Sequence, residues 1–328
     1  MKKFLALFRK VKGKEVLRQY AQGHVLFTAL SATLLLGLNK KALEIVRLCT
    51  HYKLLRRLKK KTSGFVDTWK QNHPESYEEK HEKIIWMCWL QGLETAPELV
   101  QLCAASVRRH LEPLGYRIIV LNENNLKDYV SLPDYIEEKK QKGLISGAHY
   151  ADLIRLNVLL TYGGTWIDST VFCSSGNVPK WQLESPLFVY QILKPGLDGH
   201  SLPMSNWFIT ANAGHPILML TRDLLYDYWK HNDKLVDYFI FHYYFEIACQ
   251  AFPELSAQMV PCSSETPHIV LLHLIDPYSP QWLDAALSQS CFHKLTYKFT
   301  DEQTALPGTN YQALLERMKQ NGLSDAEI

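Results

Sequence analysis

The sequence predicts an α/β fold in which a mostly parallel, doubly wound sheet follows an N-terminal helical extension. Short apolar runs of strand length alternate with longer helical stretches, the pattern of parallel strands with helices on both faces. The 328 residues suffice for one large core or two modest ones. With 47% hydrophobic and 21% charged residues, the composition is that of a folded protein.

Residues 1–80 are predicted to form a basic helical region that associates with a membrane. Residues 1–61 contain sixteen Lys and Arg against only Glu15 and Glu44, a net charge of +14, so the remaining 267 residues carry −11 of the chain's +3. Such asymmetry indicates an anionic surface as partner. Because the larger part is acidic, nucleic acid is not expected to be that partner.

Two segments of this region carry the membrane prediction. The strongly apolar stretch 25–38 has fourteen residues, fewer than the roughly 20 that a transmembrane helix needs, so spanning is not favoured. In the segment 40–61, apolar side chains recur at helical spacing between cations, which is typical of an interfacial helix with its apolar side in lipid. The apolar positions are Leu43, Val46, Leu54, Leu55 and Leu58. The alternative is a helical hairpin that docks on the following domain and has a solvated basic face.

The cysteines and the N-terminus bear on the compartment. Seven cysteines are scattered without a CxxC pair, which favours free thiols in a reducing compartment. The start MKKFLALFRKVKGKEV lacks the long apolar run and the cleavage site of a signal peptide. We therefore expect the protein in the cytosol, peripherally attached to the cytoplasmic face of the cell membrane.

Residues 81–328 are predicted to form the sheet domain. The predicted strands are 83–89, 115–121, 165–171, 187–193, 206–211 and 268–274, and the predicted helices are 97–110, 146–162, 216–230 and 234–252. Pro97 suits a helix start, and Gly163 and Gly164 supply the backbone freedom that ends the second helix. Sheets of this kind bind ligands at the carboxyl ends of their strands.

A cluster of charged residues lies between helix 146–162 and the strand after it. Asp152 and Arg155 are three residues apart and share one face of an otherwise apolar helix. Buried charges are costly unless they pair or bind a ligand, and a plain structural ion pair is the alternative. Asp168 follows Trp166 on the same strand face. A carboxylate at the carboxyl end of a parallel strand is suited to a divalent metal, Mg²⁺ or Mn²⁺, and a nucleotide diphosphate.

The segment HYADLIRLNVLLTYGGTWIDSTV resembles the central signature of the capsular polysaccharide synthesis glycosyltransferases, relatives of the DXD-containing sugar transferases of glycosyltransferase family 32. The matching positions are Ala151, Asp152, Leu153, Arg155, Gly163, Gly164, Trp166 and Asp168. The resemblance extends over about residues 83–298. It implies the nucleotide-diphospho-sugar transferase fold, called GT-A.

The resemblance also implies roles for individual residues. A nucleoside pocket would be lined by Trp89, Gln91 and Gly92. Asp152 and Arg155 would bind hydroxyls of the donor sugar and ribose, and Asp168 would engage the metal and the ribose. Lys294 and Lys298 would neutralise the leaving diphosphate.

Three further residues are candidates with open alternatives. Asp237 would contact the sugar or acceptor near the reaction centre, or else lie on a helix surface or cap a helix. Asn206 and Trp207 are candidate acceptor or sugar contacts, although Trp207 could equally be a core residue.

The metal site departs from the DXD pattern because its second Asp is Thr170. Thr170 or Ser169 would then bind through a hydroxyl or a water molecule, and His293 is a candidate further ligand. The alternative for His293 is an ordinary, partly buried histidine.

The resulting hypothesis is transfer of a hexose, galactose or glucose, from a UDP-sugar to a lipid-linked glycan in capsular or cell-surface polysaccharide synthesis. By the resemblance, the configuration at the sugar would be retained. One alternative is a nucleotidyltransferase on a similar sheet, but QGLETAPE after the first strand is not the glycine-rich loop such an enzyme requires. The other is a non-catalytic, membrane-bound scaffold.

Overall fold

The computed structural model describes residues 13–73, 77, 82–192 and 202–320. The absence of a signal peptide, predicted from the first residues, falls mainly on residues 1–12 and thus outside the described part. The chain begins with three helices: α1 Gly13–Gln22, α2 Leu26–Leu36 and α3 Lys40–Asn72. All three confirm the predicted helical extension.

The rest of the chain alternates strands and helices. The first half contains β1 Ile84–Cys88, α4 Glu98–Leu111, β2 Arg117–Leu121, α5 Leu126–Tyr129, α6 Asp134–Gln141, α7 Gly147–Tyr162, β3 Gly164–Ile167 and β4 Val171–Cys173. The second half contains α8 Lys180–Glu184, β5 Leu187–Gln191, β6 Met204–Ala211, α9 Pro216–His231, α10 Ile240–Ala251, α11 Pro253–Ser256, α12 Glu265–Leu272, α13 Pro280–Leu287, β7 Phe292–Lys294, α14 Asp301–Thr304 and α15 Asn310–Met318. Two short 3₁₀ turns, Leu93–Thr95 and Glu112–Leu114, flank α4.

The central sheet has five strands in the order β2-β1-β3-β6-β5. Strand β1 is parallel to both β2 and β3, whereas β6 is antiparallel to β3 and to β5. Four of these five described strands therefore point the same way and β6 alone is reversed, which confirms a mostly parallel sheet. A separate two-stranded ribbon pairs β4 with β7 in antiparallel fashion.

Helices cover both faces of the sheet. On one face, α7, α9 and α10 pack on Trp86, Trp166 and Ile209. On the other face, α4 packs on Ile85 and Phe208. A third apolar cluster joins the outer side of α4 to α12, α13 and α15. This arrangement is the doubly wound α/β architecture predicted from the alternation of strands and helices.

The predicted strand at 268–274 is wrong, because these residues lie largely within the helix α12. A short apolar run does not distinguish a strand from a buried helix by periodicity. Here Val270 is fully buried while Leu272 is exposed, so only one side of the helix contacts the core. The predicted helix 234–252 also starts later, at Ile240.

The helical extension shares its core with the sheet domain. Leu54, Leu55 and Leu58 of α3 are buried in the same cluster as α9 and α10, and Val46 is also buried. The Trp69 indole donates to Asp223 Oδ2 at 2.8 Å. The interpretation that these α3 positions face lipid is therefore wrong, and this side of α3 follows the docked-hairpin alternative. None of the described helices is long and apolar enough to cross a membrane.

All seven cysteines are free in the structure, as expected from their spacing. Three of them, Cys103, Cys173 and Cys249, are buried, and burial raises the pKa of Cys88 and Cys173 to about 12. These thiols are therefore not expected to be reactive near neutral pH.

The turn from α7 into β3 requires glycine at position 164. Gly164 has φ +95, and a Cβ atom there would lie 2.5 Å from the Ile84 carbonyl oxygen. We expect Gly164→Ala to lower the free energy of unfolding by about 3 kcal/mol, from positive-φ strain and the clash with strand β1. Gly115→Ala is the matched control, because Gly115 has φ +84 but no atom near its Cβ position; it should cost only about 1 kcal/mol. Equal losses in urea unfolding would contradict the close approach.

Candidate active site

Helix α7 and strand β3 bring the predicted charged residues to the carboxyl end of the sheet. The Ser146 hydroxyl caps the start of α7, and Gly163 ends the helix with φ +70. The chain then enters β3, which ends at Ile167, so that Asp168 is the first residue beyond the strand. Its backbone N–H donates to the Trp207 carbonyl on β6 at 2.9 Å. Asp168 is thereby fixed at the strand end.

Asp152 and Arg155 belong to one hydrogen-bonded network with Asn206. The Asn206 amide donates to Asp152 Oδ1 at 2.8 Å, and Arg155 donates to the Asn206 carbonyl. The Arg155 guanidinium lies 3.5 Å from Asp152 Oδ1 and 3.2 Å from Asp168 Oδ1. Burial raises the pKa of Asp152, against the opposing effect of Arg155. The structure therefore brings the predicted acceptor residue Asn206 together with the predicted donor residues.

The Arg155 guanidinium contacts two aromatic rings and two carboxylates. It lies over the Trp166 ring at 5.0 Å and over the Phe241 ring at 5.9 Å. These cation–π contacts and the two carboxylates balance the cost of burying its charge. The Nε atom is buried without a hydrogen-bond partner among the described residues. The alternative of a structural ion pair is therefore present between Arg155 and Asp152. The same guanidinium also contacts the Asp168 carboxylate at the end of β3.

Asp168 is paired with a second cation from the β4–β7 ribbon. Lys294 Nζ donates to Asp168 Oδ2 at 2.8 Å and to Thr170 Oγ1 at 2.7 Å. Trp166 Nε1 donates to Asp168 Oδ1 at 2.9 Å. Burial alone would raise the pKa of Asp168, but Lys294, Arg155 and these hydrogen bonds outweigh it and hold the pKa below its ordinary value. Asp168 is therefore ionised over the physiological range.

The donor set around Asp168 does not fit a divalent metal ion. Both carboxylate oxygens of Asp168 and the hydroxyl of Thr170 already accept hydrogen bonds, with the Lys294 ammonium between them. The Ser169 hydroxyl donates to the Cys88 carbonyl at 2.8 Å. In the described part of the chain no group of three or more His, Cys, Asp or Glu could hold a metal. At this position the predicted Mn²⁺ or Mg²⁺ would have only the Asp168 carboxylate as an anionic ligand, and it would compete with the Lys294 ammonium for that carboxylate.

His293 does not lie at the site. It is fully buried, and Nε2 lies 3.0 Å from the Ser174 hydroxyl. Burial lowers its pKa to about 4. Along β7 it alternates with Lys294, so the two side chains point to opposite faces. The interpretation as a metal ligand is therefore corrected to the alternative, a buried structural histidine.

The predicted nucleoside residues follow strand β1. Trp89 lies half-buried, edge-on to Tyr297 with ring centroids 5.5 Å apart. Gly92 is buried with φ +87, and Gln91 is exposed. Lys298 is exposed, one residue beyond Tyr297. The loop after β1 and the segment after β7 thus meet through an aromatic pair beside Lys294.

Asp237 is hydrogen-bonded within its own segment, directly before Tyr238. Asp237 Oδ1 accepts from the Phe239 backbone N–H at 2.8 Å, and burial raises its pKa to about 6. Helix α10 begins at Ile240 with Phe239 as its N-cap and no side-chain cap, so Asp237 closes the turn before the helix. Tyr238 is 57% exposed, and its carbonyl accepts from His149 Nε2 at 3.1 Å. Partial burial and the charges of Asp152 and Asp168 raise the pKa of Tyr238. The Tyr238 ring also lies edge-on to His149 of α7, with ring centroids 5.3 Å apart, so Tyr238 is a candidate site residue that sequence reasoning missed.

Trp207 belongs to the core on the opposite face. It stacks on Tyr190 with ring centroids 4.6 Å apart and is 4% exposed. The prediction that it contacts an acceptor is thus corrected to the core alternative. Only the backbone of Trp207 contributes, through its hydrogen bond to Asp168.

Comparison with known families agrees with this geometry. Residues 37–314 match the family model described as Capsular polysaccharide synthesis protein. The chain belongs to this family. The resemblance inferred from the signature around Asp168 is confirmed, and the family match is longer than the predicted 83–298 because it includes α3.

Two curated relatives cover part of the chain. The O-glycosyltransferase braB of Annulohypoxylon truncatum is 27% identical over 190 residues, 53% of this chain and 43% of that protein. The glycosyltransferase afumC of Aspergillus fumigatus is 28% identical over 156 residues, 44% of this chain and 40% of that protein. The family member described here thus aligns with less than half the length of either relative.

Among solved structures, the PaToxG glycosyltransferase aligns with 82% of this chain and 96% of its own. The sequence identity is 15% and the TM-score is 0.35. So low a score describes a loose correspondence of elements, and nothing about the site follows from it.

Proposed function

We propose that this protein is a glycosyltransferase of the GT-A type that uses a nucleotide-diphosphate sugar. One observation carries the proposal: the buried network of Asp152, Arg155, Asn206, Asp168 and Lys294 at the carboxyl end of the sheet. Such strand ends bind nucleotides in open α/β sheets. The names of both curated relatives support sugar transfer.

The charges of the site suit a leaving diphosphate. Lys294 is partly exposed and is held by Asp168 and Thr170. Its ammonium can therefore stabilise the negative charge that develops on the diphosphate. A fixed cation stabilises that charge more in the transition state than in the bound donor. Lys298, which is exposed to solvent, would add a second positive charge. In this mechanism Lys294, and not the predicted metal ion, supplies the counter-charge.

The remaining groups divide between the two ends of the donor. Trp89 and Tyr297 present aromatic surface for the base, and Asp152 with Asn206 presents hydrogen-bonding groups for sugar hydroxyls. Tyr238 stands at the exposed side, where an acceptor would approach. We propose a UDP-hexose, with galactose or glucose as the sugar and retention of its configuration.

The proposed acceptor is a lipid-linked glycan of capsular or cell-surface polysaccharide synthesis. The family to which the chain belongs supports this role. The net charge of +14 in residues 1–61 supports attachment to the anionic cytoplasmic face of the cell membrane. The acceptor and the location are both parts of the proposal.

Donor binding tests the proposal directly. We expect a UDP-hexose to raise the unfolding temperature of the protein, because a ligand that binds only the folded state stabilises it. Trp89→Ala should weaken that binding by about tenfold or more, the usual size of a lost base–aromatic contact. Trp181→Ala is the control, since Trp181 is also partly exposed but packs on Phe188, away from the site. The proposal fails if no nucleotide sugar stabilises the protein, or if both variants behave alike.

A further inference from the structure

The hairpin of α2 and the first half of α3 leaves a large apolar surface uncovered. Nine of the eighteen large hydrophobic side chains that are exposed in the described part of the chain lie between residues 27 and 52. Leu34 and Leu35 are 87% and 82% exposed. We call this surface the apolar crest; its members are Phe27, Leu30, Leu34, Leu35, Leu36, Leu38, Ile45, Leu48 and Tyr52. An exposed cluster of this kind marks an interaction site.

The crest is a regular face of two packed helices and not a loose end. Ile45, Leu48 and Tyr52 follow one another at helical spacing along the outer side of α3. The inner side of the same helix buries Val46 and Leu54. Helix α2 lies against α3, where Lys53 Nζ donates to Thr28 Oγ1 at 2.7 Å. The crest therefore belongs to two helices that pack on each other and, through α3, on the core.

Positive charges border the crest. The helix α2, LFTALSATLLL, contains no charged residue. The exposed Lys40 and Lys41 begin α3, shortly after Leu38 of the crest. At the other end of the crest, the Arg56 guanidinium lies 5.9 Å from the Tyr52 ring centroid. An apolar centre with a basic rim matches the acyl chains and anionic headgroups of a lipid surface.

The dimensions favour one leaflet. With eleven residues, α2 is about 16 Å long, against about 30 Å for the hydrocarbon core of a bilayer. We propose that the apolar crest docks into the acyl–headgroup boundary of one leaflet, with Lys40, Lys41 and Arg56 on anionic headgroups. This inference rests on the membrane location in the proposed function and specifies the surface that makes the contact.

The test measures binding of the full chain to vesicles without any sugar. We expect Leu34→Glu with Leu35→Glu to lower partitioning into phosphatidylcholine–phosphatidylserine vesicles by at least about tenfold. Lys40→Gln with Lys41→Gln should lower it by about tenfold on these vesicles and leave weak binding to pure phosphatidylcholine unchanged. Leu272→Glu is the matched control, because Leu272 is 73% exposed on α12 outside the crest, and its binding should equal that of the wild type.

Several outcomes overturn the inference. Unchanged vesicle binding of the Leu34 and Leu35 double variant is one. Another is that the wild type does not bind vesicles but self-associates through these leucines, as measured by light scattering. The crest would then be an interface between copies of this chain. Should the Glu pair lower the unfolding temperature, Leu34→Ser with Leu35→Ser carries the same expectation. Thermal stabilisation by UDP-hexose, measured on the same proteins, reports separately on the proposed function.

Discussion

Replacing Asp168 by Asn is expected to lower kcat/KM for sugar transfer by at least about 100-fold, the usual size for losing one preorganised electrostatic group. The substitution keeps the shape of the side chain and removes its charge. Arg155 and Lys294 both donate to this carboxylate, so both cations lose the partner that orients them. Initial rates with a UDP-hexose donor measure the effect, and hydrolysis of the donor serves when the acceptor is unknown.

Asp233→Asn is the matched control for this prediction. Asp233 accepts from Lys139 Nζ at 2.8 Å, the same distance as the Asp168–Lys294 pair, but it is exposed and its partner belongs to α6. Its loss should leave the rate within about twofold, because exposed ion pairs contribute little. Wild-type rates in Asp168→Asn would show that Asp168 is only a structural partner of Arg155.

Replacing Lys294 by Met should also reduce the rate by about 100-fold, mainly through kcat, because the ammonium is proposed to act on charge that develops in the transition state. Lys294→Arg keeps the charge and should recover part of the rate. The Lys294 cation also lowers the pKa of Asp168. Its removal raises that pKa, so the acid limb of the pH–rate profile should move to higher pH.

This variant also tests the counter-charge against the predicted metal. If Lys294 supplies it, a chelator leaves the wild-type rate unchanged, and Mn²⁺ does not restore Lys294→Met. Loss of wild-type activity in the chelator, with recovery on adding Mn²⁺, would return the role to a metal ion. Lys142→Met, which removes an exposed lysine paired with Glu138, is the control and should change neither behaviour.

The centre of the site could be predicted because local rules determine it. A capped helix, two glycines and a short strand fix Asp152, Arg155 and Asp168 relative to one another within seventeen residues of sequence. Lys294 comes from a distant ribbon, and only the family resemblance pointed to it. Most strand positions also followed from the alternation of apolar runs and helices, whereas the strand order is known only from the structure.

The failures share one physical cause, since sequence spacing does not say which face of an element is covered. Trp207 and His293 belong to strands near the site, but their side chains point to the other side. Tyr238 differs from Asp237 by one position, but its ring packs on His149 of α7, whereas Asp237 accepts from the Phe239 backbone. On α3 the apolar positions 54, 55 and 58 were expected in lipid, yet they contact α9 and α10. Tertiary packing, invisible in one sequence, decided each case.

The shared core of α3 and the sheet domain has a mechanical consequence. His51 of α3 is edge-on to Phe239 and Tyr243, and Phe241 of the same helix α10 lies beneath the Arg155 guanidinium. The helix that carries the crest therefore packs on the same helix α10 that contacts Arg155. Truncation of the chain before β1 would expose the apolar side of α10 that α3 covers. The N-terminal helices and the site around Asp168 should therefore unfold as a single cooperative unit.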